Sequence, residues 1–211
     1  MKIKLLIGIL VLAAVSLIAV GSAFAAITNS IHDFKGRSWN PGGEICNVCH
    51  TPHNASSNIV PLWNHAMTSV TYKLYSSPTL KATMVQPSSV SKACLSCHDG
   101  TVALDSFGGN VGKNFMNGEA KLGEDLSDDH PVSFTYDTAL AISDGGLNDP
   151  ATKTVASLGG KTIFASMLRN GKLECSSCHD VHRDKGDSVT ADDLLLVNNA
   201  GSALCLTCHN K

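Results

Sequence analysis

The hydrophobic pattern of this chain is discontinuous. Its one long apolar run is LLIGILVLAAVSLIAV, residues 5–20, behind the basic start MKIK and ahead of GSAFAA. A basic start, an apolar centre and the small-x-small triplet Ala23-Phe24-Ala25 predict a cleavable export signal over 1–25. The competing reading is an uncleaved anchor, because the run approaches the length of a membrane span. No cysteine follows the cleavage position, which argues against a lipoprotein anchor. No later apolar run is long enough to cross a bilayer. Past residue 26 the periodic signals are short. PVSFTYD, 131–137, alternates Val132, Phe134 and Tyr136 with Ser133 and Thr135, as a half-buried strand does. KTIFASMLRNGKLEC carries Asn170-Gly171 between apolar stretches, which predicts a hairpin. ADDLLLV, 191–197, predicts a helical turn with acidic residues near its N-terminus. Residues 27–43, ITNSIHDFKGRSWNPGG, read as an extended arm closed by a Pro-Gly-Gly turn. The expected fold class is mostly coil with short helices and a few short strands, in one domain over 26–211.

Composition sharpens this. A chain of 211 residues can bury a core, but aromatics are 5% of it and glycines number 18. Large apolar side chains are scarce, so bulk must come from elsewhere. The net charge is −2 and becomes more acidic once Lys2 and Lys4 leave with the signal. That balance does not suit a nucleic-acid binder and mildly favours cationic partners.

The cysteines supply the chemistry. All eight lie in four C-x-x-C-H units: Cys46, Cys49 and His50; Cys94, Cys97 and His98; Cys175, Cys178 and His179; Cys205, Cys208 and His209. Zinc knuckles, redox dithiols and c-type haem attachment all use C-x-x-C, but the first two do not require the next residue to be histidine. Histidine is 9 of 211 residues, so four chance placements have a probability on the order of a few in a million. Haem attachment explains the fifth letter. The two thiols add to the porphyrin vinyl groups as thioethers, and the adjacent imidazole takes the iron. Four covalently attached haem c groups would supply the missing apolar bulk and organise the fold around themselves. Short helices should carry the cysteines, with Ser91 and Ser202 capping the turns into Cys94 and Cys205. The leucines of ADDLLLV and Met67, Met84, Met116 and Met167 would pack on porphyrin. The acidic loop GEDLSDDH lacks the ligand spacing of a calcium loop and reads as solvated.

Five histidines lie outside the units: His32, His53, His65, His130 and His182. Four irons need four further ligands, so imidazole suffices without methionine, and bis-histidine ligation gives low potentials. His53 and His182 each follow a unit histidine by three residues. From there an imidazole cannot easily pass round its own porphyrin, but it can reach a neighbouring iron. His130 precedes Pro131, which holds its backbone extended and helps present the ring. His32 sits on the N-terminal arm. His65, in PLWNHAM, is the odd one, a packing residue in this reading.

The segments IHDF, CNVCHTPHNA, PLWN, CLSCHDGTVA, HPVSF and CSSCHDVH resemble those of multihaem cytochromes of metal-reducing bacteria. The resemblance runs from about Ile31 to Asn210. It is to the tetrahaem extracellular cytochromes of the OmcE type, relatives of the hexahaem OmcS type, which polymerise into electron-conducting filaments. It implies bis-histidine haems, an extracellular or cell-surface location with the periplasm as alternative, and an N-terminal histidine, here His32, completing a haem in the next subunit. The implied partners are copies of the chain itself, other multihaem cytochromes and extracellular electron acceptors. The expected function is electron transfer without catalysis. A nitrite- or hydroxylamine-converting oxidoreductase is an alternative that needs an open iron and an acid–base group. A membrane-anchored tetrahaem quinol dehydrogenase is another, with 5–20 retained.

Overall fold

The computed structural model describes residues 27–56, 61–182 and 194–210. The expected export signal and residues 191–193 of ADDLLLV lie outside them. The chain is mostly coil. Its strands are pairs of residues: β1 (Lys73–Leu74) runs parallel to β2 (Asp125–Leu126), β3 (Phe134–Thr135) is antiparallel to β6 (Lys172–Leu173), and β4 (Thr154–Val155) is antiparallel to β5 (Lys161–Thr162). The helices are α1 (Ser89–His98), α2 (Thr138–Asp144), α3 (Ile163–Ser166), α4 (Cys175–Cys178) and α5 (Ala203–Cys208). Among the described residues none is long and apolar enough to cross a membrane. This agrees with the expected fold class.

Local chemistry sets the helix ends. The Leu140 N–H donates to the Asp137 carboxylate at 2.8 Å to open α2, and Gly145, at φ 69°, closes it in the left-handed conformation. Two expected caps are corrected. Helix α1 begins at Ser89, so Ser91 lies inside it, fully buried, and its hydroxyl donates to Glu174. Ser202 does occupy the N-cap position of α5, but at φ 62° its hydroxyl makes no capping bond.

The larger core cluster gathers Phe134, Tyr136, Ile163, Met167, Leu173, Leu196 and Val197. A smaller one holds Tyr72, Leu95 and Leu126. In PVSFTYD, Phe134 and Tyr136 are buried and Thr135 is exposed, as alternation predicts. Ser133 breaks the pattern: it is fully buried at φ 64°. Asn170 and Gly171 form a turn with both φ positive, 51° and 74°, the type I′ geometry that an Asn-Gly pair favours. Across it Arg169 and Lys172 exchange N–H···O bonds at 3.0 Å. The segment before this turn is helical instead of a second strand. Ile163 and Met167 share one buried face at helical spacing, and the Thr162 hydroxyl caps α3 by accepting from the Ala165 N–H. Strand β6 therefore pairs with β3.

The N-terminal arm is also corrected. It is a series of tight turns instead of an extended segment, with N–H···O bonds from Ser30 to Ile27, Asp33 to Ser30, Arg37 to Phe34, Asn40 to Arg37 and Gly43 to Asn40. Ser, Asn, Asp and Gly satisfy backbone groups locally. The buried Asn40 amide binds the Phe34 and Glu44 carbonyls and ties these turns together.

Three of the C-x-x-C-H units share a second feature. Each is clipped to a distant segment by two backbone bonds of the same register. Thr51 N–H donates to Leu62 O, and Asn64 N–H to Cys49 O, at 2.9 Å each. Asp180 N–H donates to Leu194 O at 2.7 Å, and Leu196 N–H to Cys178 O at 2.8 Å. Asn210 N–H donates to Gly146 O at 3.0 Å, and Asn148 N–H to Cys208 O at 2.7 Å. The bridges centre on His50↔Trp63, His179↔Leu195 and Leu147↔His209. Each clip fixes the backbone on both sides of the unit's histidine. The second unit is held differently, by one bond from Leu122 N–H to His98 O at 2.7 Å.

Candidate haem sites

Every C-x-x-C-H unit folds as a single helical turn. In the first, outside any helix, His50 N–H donates to Cys46 O at 2.8 Å. The corresponding bonds are His179 to Cys175 at 3.0 Å and His209 to Cys205 at 2.9 Å, and the second unit ends α1. Residues three apart lie on one helix face. Both thiols of a unit therefore point the same way, with the histidine at the edge of that face.

The histidine rings then pair across the fold. His50 lies 6.0 Å from His182, His98 lies 6.1 Å from His32, and His209 lies 6.4 Å from His130, centroid to centroid. Each pair joins one unit histidine to one from outside the units. An imidazole nitrogen bound at about 2 Å places its ring centroid roughly 3 Å from the metal, so two imidazoles across one metal sit about 6 Å apart. The ring of His182 faces His50 of the first unit, not His179 three residues before it. His65 takes no part. It is 3% exposed, and its two nitrogens contact Ala66 O at 2.8 Å and Ala103 O at 3.0 Å. Among the described residues, neither His53, which is exposed, nor His179 has a second imidazole against its ring.

Electrostatics suit ligation. The Nδ1 atoms of His50, His98 and His130 bind the Pro61, Ala120 and Pro131 carbonyls at 2.7, 2.8 and 3.0 Å. A carbonyl on one ring nitrogen fixes the tautomer and leaves Nε2 a lone pair for a metal. Asp180 stands 3.6 Å from the Nδ1 of His182. His32 is pushed down to about 4, first by burial and then by the charges of His98, His179 and His182. It therefore stays neutral, the form that binds a metal. Burial also lowers His179, and His98 adds to the shift. Burial pushes the thiols of Cys49 and Cys208 up to about 11 and that of Cys97 up to about 12. Among the described residues no three Cys, His, Asp or Glu side chains gather as a zinc knuckle requires.

The residues fit haem. A cavity of about 470 Å³ is walled by Cys94, Cys175, Cys178, His98 and His179, with Leu74, Leu95, Leu126, Val132 and Leu173 as apolar lining. Ile31 and Leu122 also line it, although 48% and 43% exposed, apolar surface that a porphyrin would cover. Within this wall the His32 Nδ1 is buried without a hydrogen-bond partner. A buried polar atom left unpaired is rare in native folds, and an imidazole nitrogen without a hydrogen-bond partner is one that could take a metal. Leu194 of the LLL run lines the cavity as well, while Leu196 and Val197 join the protein core. Met84 also faces the cavity, whereas Met167 is core.

Residues 167–211 match the family model described as a doubled CXXCH motif. This match indicates a multihaem c-type cytochrome-like protein. A doubled motif of this kind suggests covalently attached haem c and a role in electron transfer, and haem attachment outside the cytoplasm suggests export. The match spans the third and fourth units; the first two lie ahead of it. None of the curated proteins compared matches the chain.

One residue beside this cavity carries no signal in the sequence. Glu174 is 1% exposed and lines the cavity. Its Oε2 accepts from the hydroxyls of Ser91 and, at 2.7 Å, Ser133. No motif or periodicity marks a lone glutamate ahead of a cysteine.

Proposed function

We propose that the chain is a tetrahaem electron-transfer cytochrome with no substrate of its own, exported to the cell surface or beyond, and able to assemble through iron ligation. The three imidazole pairs carry this reading. An iron with two axial imidazoles has no place for a substrate and is suited to low-potential electron transfer. In this reading His182 completes the haem of the first unit, His32 that of the second and His130 that of the fourth. The iron at His179 takes its second imidazole from another copy. His53 is the exposed histidine left to supply it. A contact between unlike surfaces that does not close into a ring builds a filament. His32, which the resemblance gave the role of bridging copies, lies 6.1 Å from His98 of its own chain, and this proposal gives the exchange to His53. Other multihaem cytochromes and extracellular acceptors would take the electrons.

Dilution tests the proposal. A dilute wild-type sample should carry one high-spin haem among four, turning low-spin as filaments appear by electron microscopy. His53→Ala should keep that haem high-spin at every concentration. A dilute monomer with all irons six-coordinate would overturn the exchange, as would filaments that persist in His53→Ala.

Among the described residues no second imidazole lies against His179, which favours a second reading, an oxidoreductase of the nitrite or hydroxylamine type. Binding of carbon monoxide, cyanide or nitrite that survives assembly would support it over the first. A mature N-terminus retaining residues 5–20 would favour the membrane-anchored quinol dehydrogenase.

A further inference from the structure

The second and third units approach each other more closely than their sequence separation suggests. Cys94 and Cys175 both line the cavity that also holds His98 and His179. Helix α1 packs on α4, and at the contact stands the buried carboxylate of Glu174. Ser91, one turn ahead of Cys94 in α1, donates its hydroxyl to Glu174 Oε2 and accepts from the backbone N–H of Cys175 at 2.9 Å. Ser133 donates to the same oxygen at 2.7 Å and accepts from Ser88 N–H at 3.3 Å, ahead of α1. The Ser177 hydroxyl accepts from Glu174 N–H at 2.9 Å. Ser91 and Ser133 are fully buried, and Ser177 is 1% exposed. Ser133 holds a left-handed φ of 64°, unfavourable for a residue with a side chain, and from there its hydroxyl reaches Glu174.

Among the described residues no ion pair involves this carboxylate; two hydroxyls and, in a capping box at the start of α4, the Ser177 backbone N–H carry it. Such a network is rigid when every member is satisfied and fragile when one is lost. Ordinary apolar packing would hold α1 on α4 without burying a carboxylate. What the network adds is a fixed register between Cys94 and Cys175, the points from which two porphyrins would hang.

We propose that Glu174 is a positioning residue for electron transfer between the haems of the second and third units, its carboxylate clamping α1 to α4 through Ser91 and Ser133. The inference rests on the tetrahaem reading. Haems held by the two units would exchange one electron, ferrous at one site becoming ferric as the other is reduced, with no proton and no bond changed. The clamp acts by holding the gap constant.

The test uses the haem-loaded, full-length protein in three forms: wild type, Glu174→Gln and Glu174→Ala. Mass measurement first counts haem additions. A wild type without covalent haem would sink the tetrahaem reading itself, separately from the clamp. Circular dichroism in the Soret region then reads exciton coupling between close porphyrins, and flash photoreduction reads internal electron equilibration. The glutamine amide oxygen can accept both hydroxyls, so Glu174→Gln should keep the wild-type couplet and rate. Glu174→Ala, with all haems still attached, should lose couplet amplitude and equilibrate several-fold more slowly. Wild-type behaviour in Glu174→Ala would overturn the proposal. So would equal damage in Glu174→Gln, because the effect would then come from charge. If Glu174→Ala does not accumulate, Ser133→Ala removes one donor to the same oxygen, and an unaltered couplet there would overturn the clamp.

Discussion

Replacing His182 with alanine tests the ligand pairing most directly. Its ring centroid stands 6.0 Å from that of His50, with the planes 26° apart. Two metal–imidazole bonds of about 2 Å, each with its ring centre roughly 1 Å farther out, give a span of about 6 Å. The observed distance matches that span. The Asp180 carboxylate accepts from the His182 backbone N–H at 2.9 Å and stands behind its Nδ1, so the side chain is aimed before any metal arrives. Alanine removes the ring and leaves His50, whose Nδ1 stays on Pro61 O. One iron among four should lose its sixth ligand while the first unit keeps its haem. In ferric optical and electron paramagnetic resonance spectra, a further quarter of the haem absorbance should therefore become high-spin relative to assembled wild type, and added imidazole should restore it. Haem mass should not change. A His182→Ala protein that stays fully low-spin without added ligand would refute the pairing. A methionine–iron charge-transfer band in the wild type would refute the all-imidazole premise.

Three further outcomes follow from named contacts. His65→Ala should leave the low-spin fraction intact and cost about 1–3 kcal/mol in thermal unfolding, because it removes a buried ring whose single N–H can donate to the Ala66 or the Ala103 carbonyl. Tyr72→Phe removes the 2.7 Å bond from the Tyr72 hydroxyl to the buried Asp99. Burial alone would raise the Asp99 pKa, but bonds from Tyr72 and Thr101 outweigh it and hold the carboxyl below its usual value. The stability this adds is present above the unfolded carboxylate pKa and is lost as pH falls through the lower folded value. Tyr72→Phe should therefore destabilise at pH 7 by about 1–3 kcal/mol, with a shrinking difference from wild type in acid titrations below about pH 4. Gly171→Ala places a side chain at φ 74° and should lower the melting temperature through about 1 kcal/mol or more of backbone strain; an unchanged midpoint would show that the turn is not held in that geometry.

The sequence by itself determined whatever is contiguous. A C-x-x-C-H unit needs one helical turn to bring two thiols and an imidazole to one porphyrin, and that turn is written within five residues. Sparse large side chains announced a fold with little regular structure, and Asn170-Gly171 announced its turn. The tertiary structure alone decided the rest, because pairing between distant residues carries no local periodicity. Nothing near His32 or His98 in the chain names the other as its partner. The clips join the units to PLWN, GLND and LLLV, segments unlike one another, because backbone bonds ask only for register and not for side-chain identity. Ser91, read as a cap from its local position, instead binds Glu174, 83 residues away. The N-terminal arm read as extended because turn-forming residues leave no periodic mark. Their hydrogen bonds to one another, together with the burial of Asn40, folded it into turns that set His32 against His98.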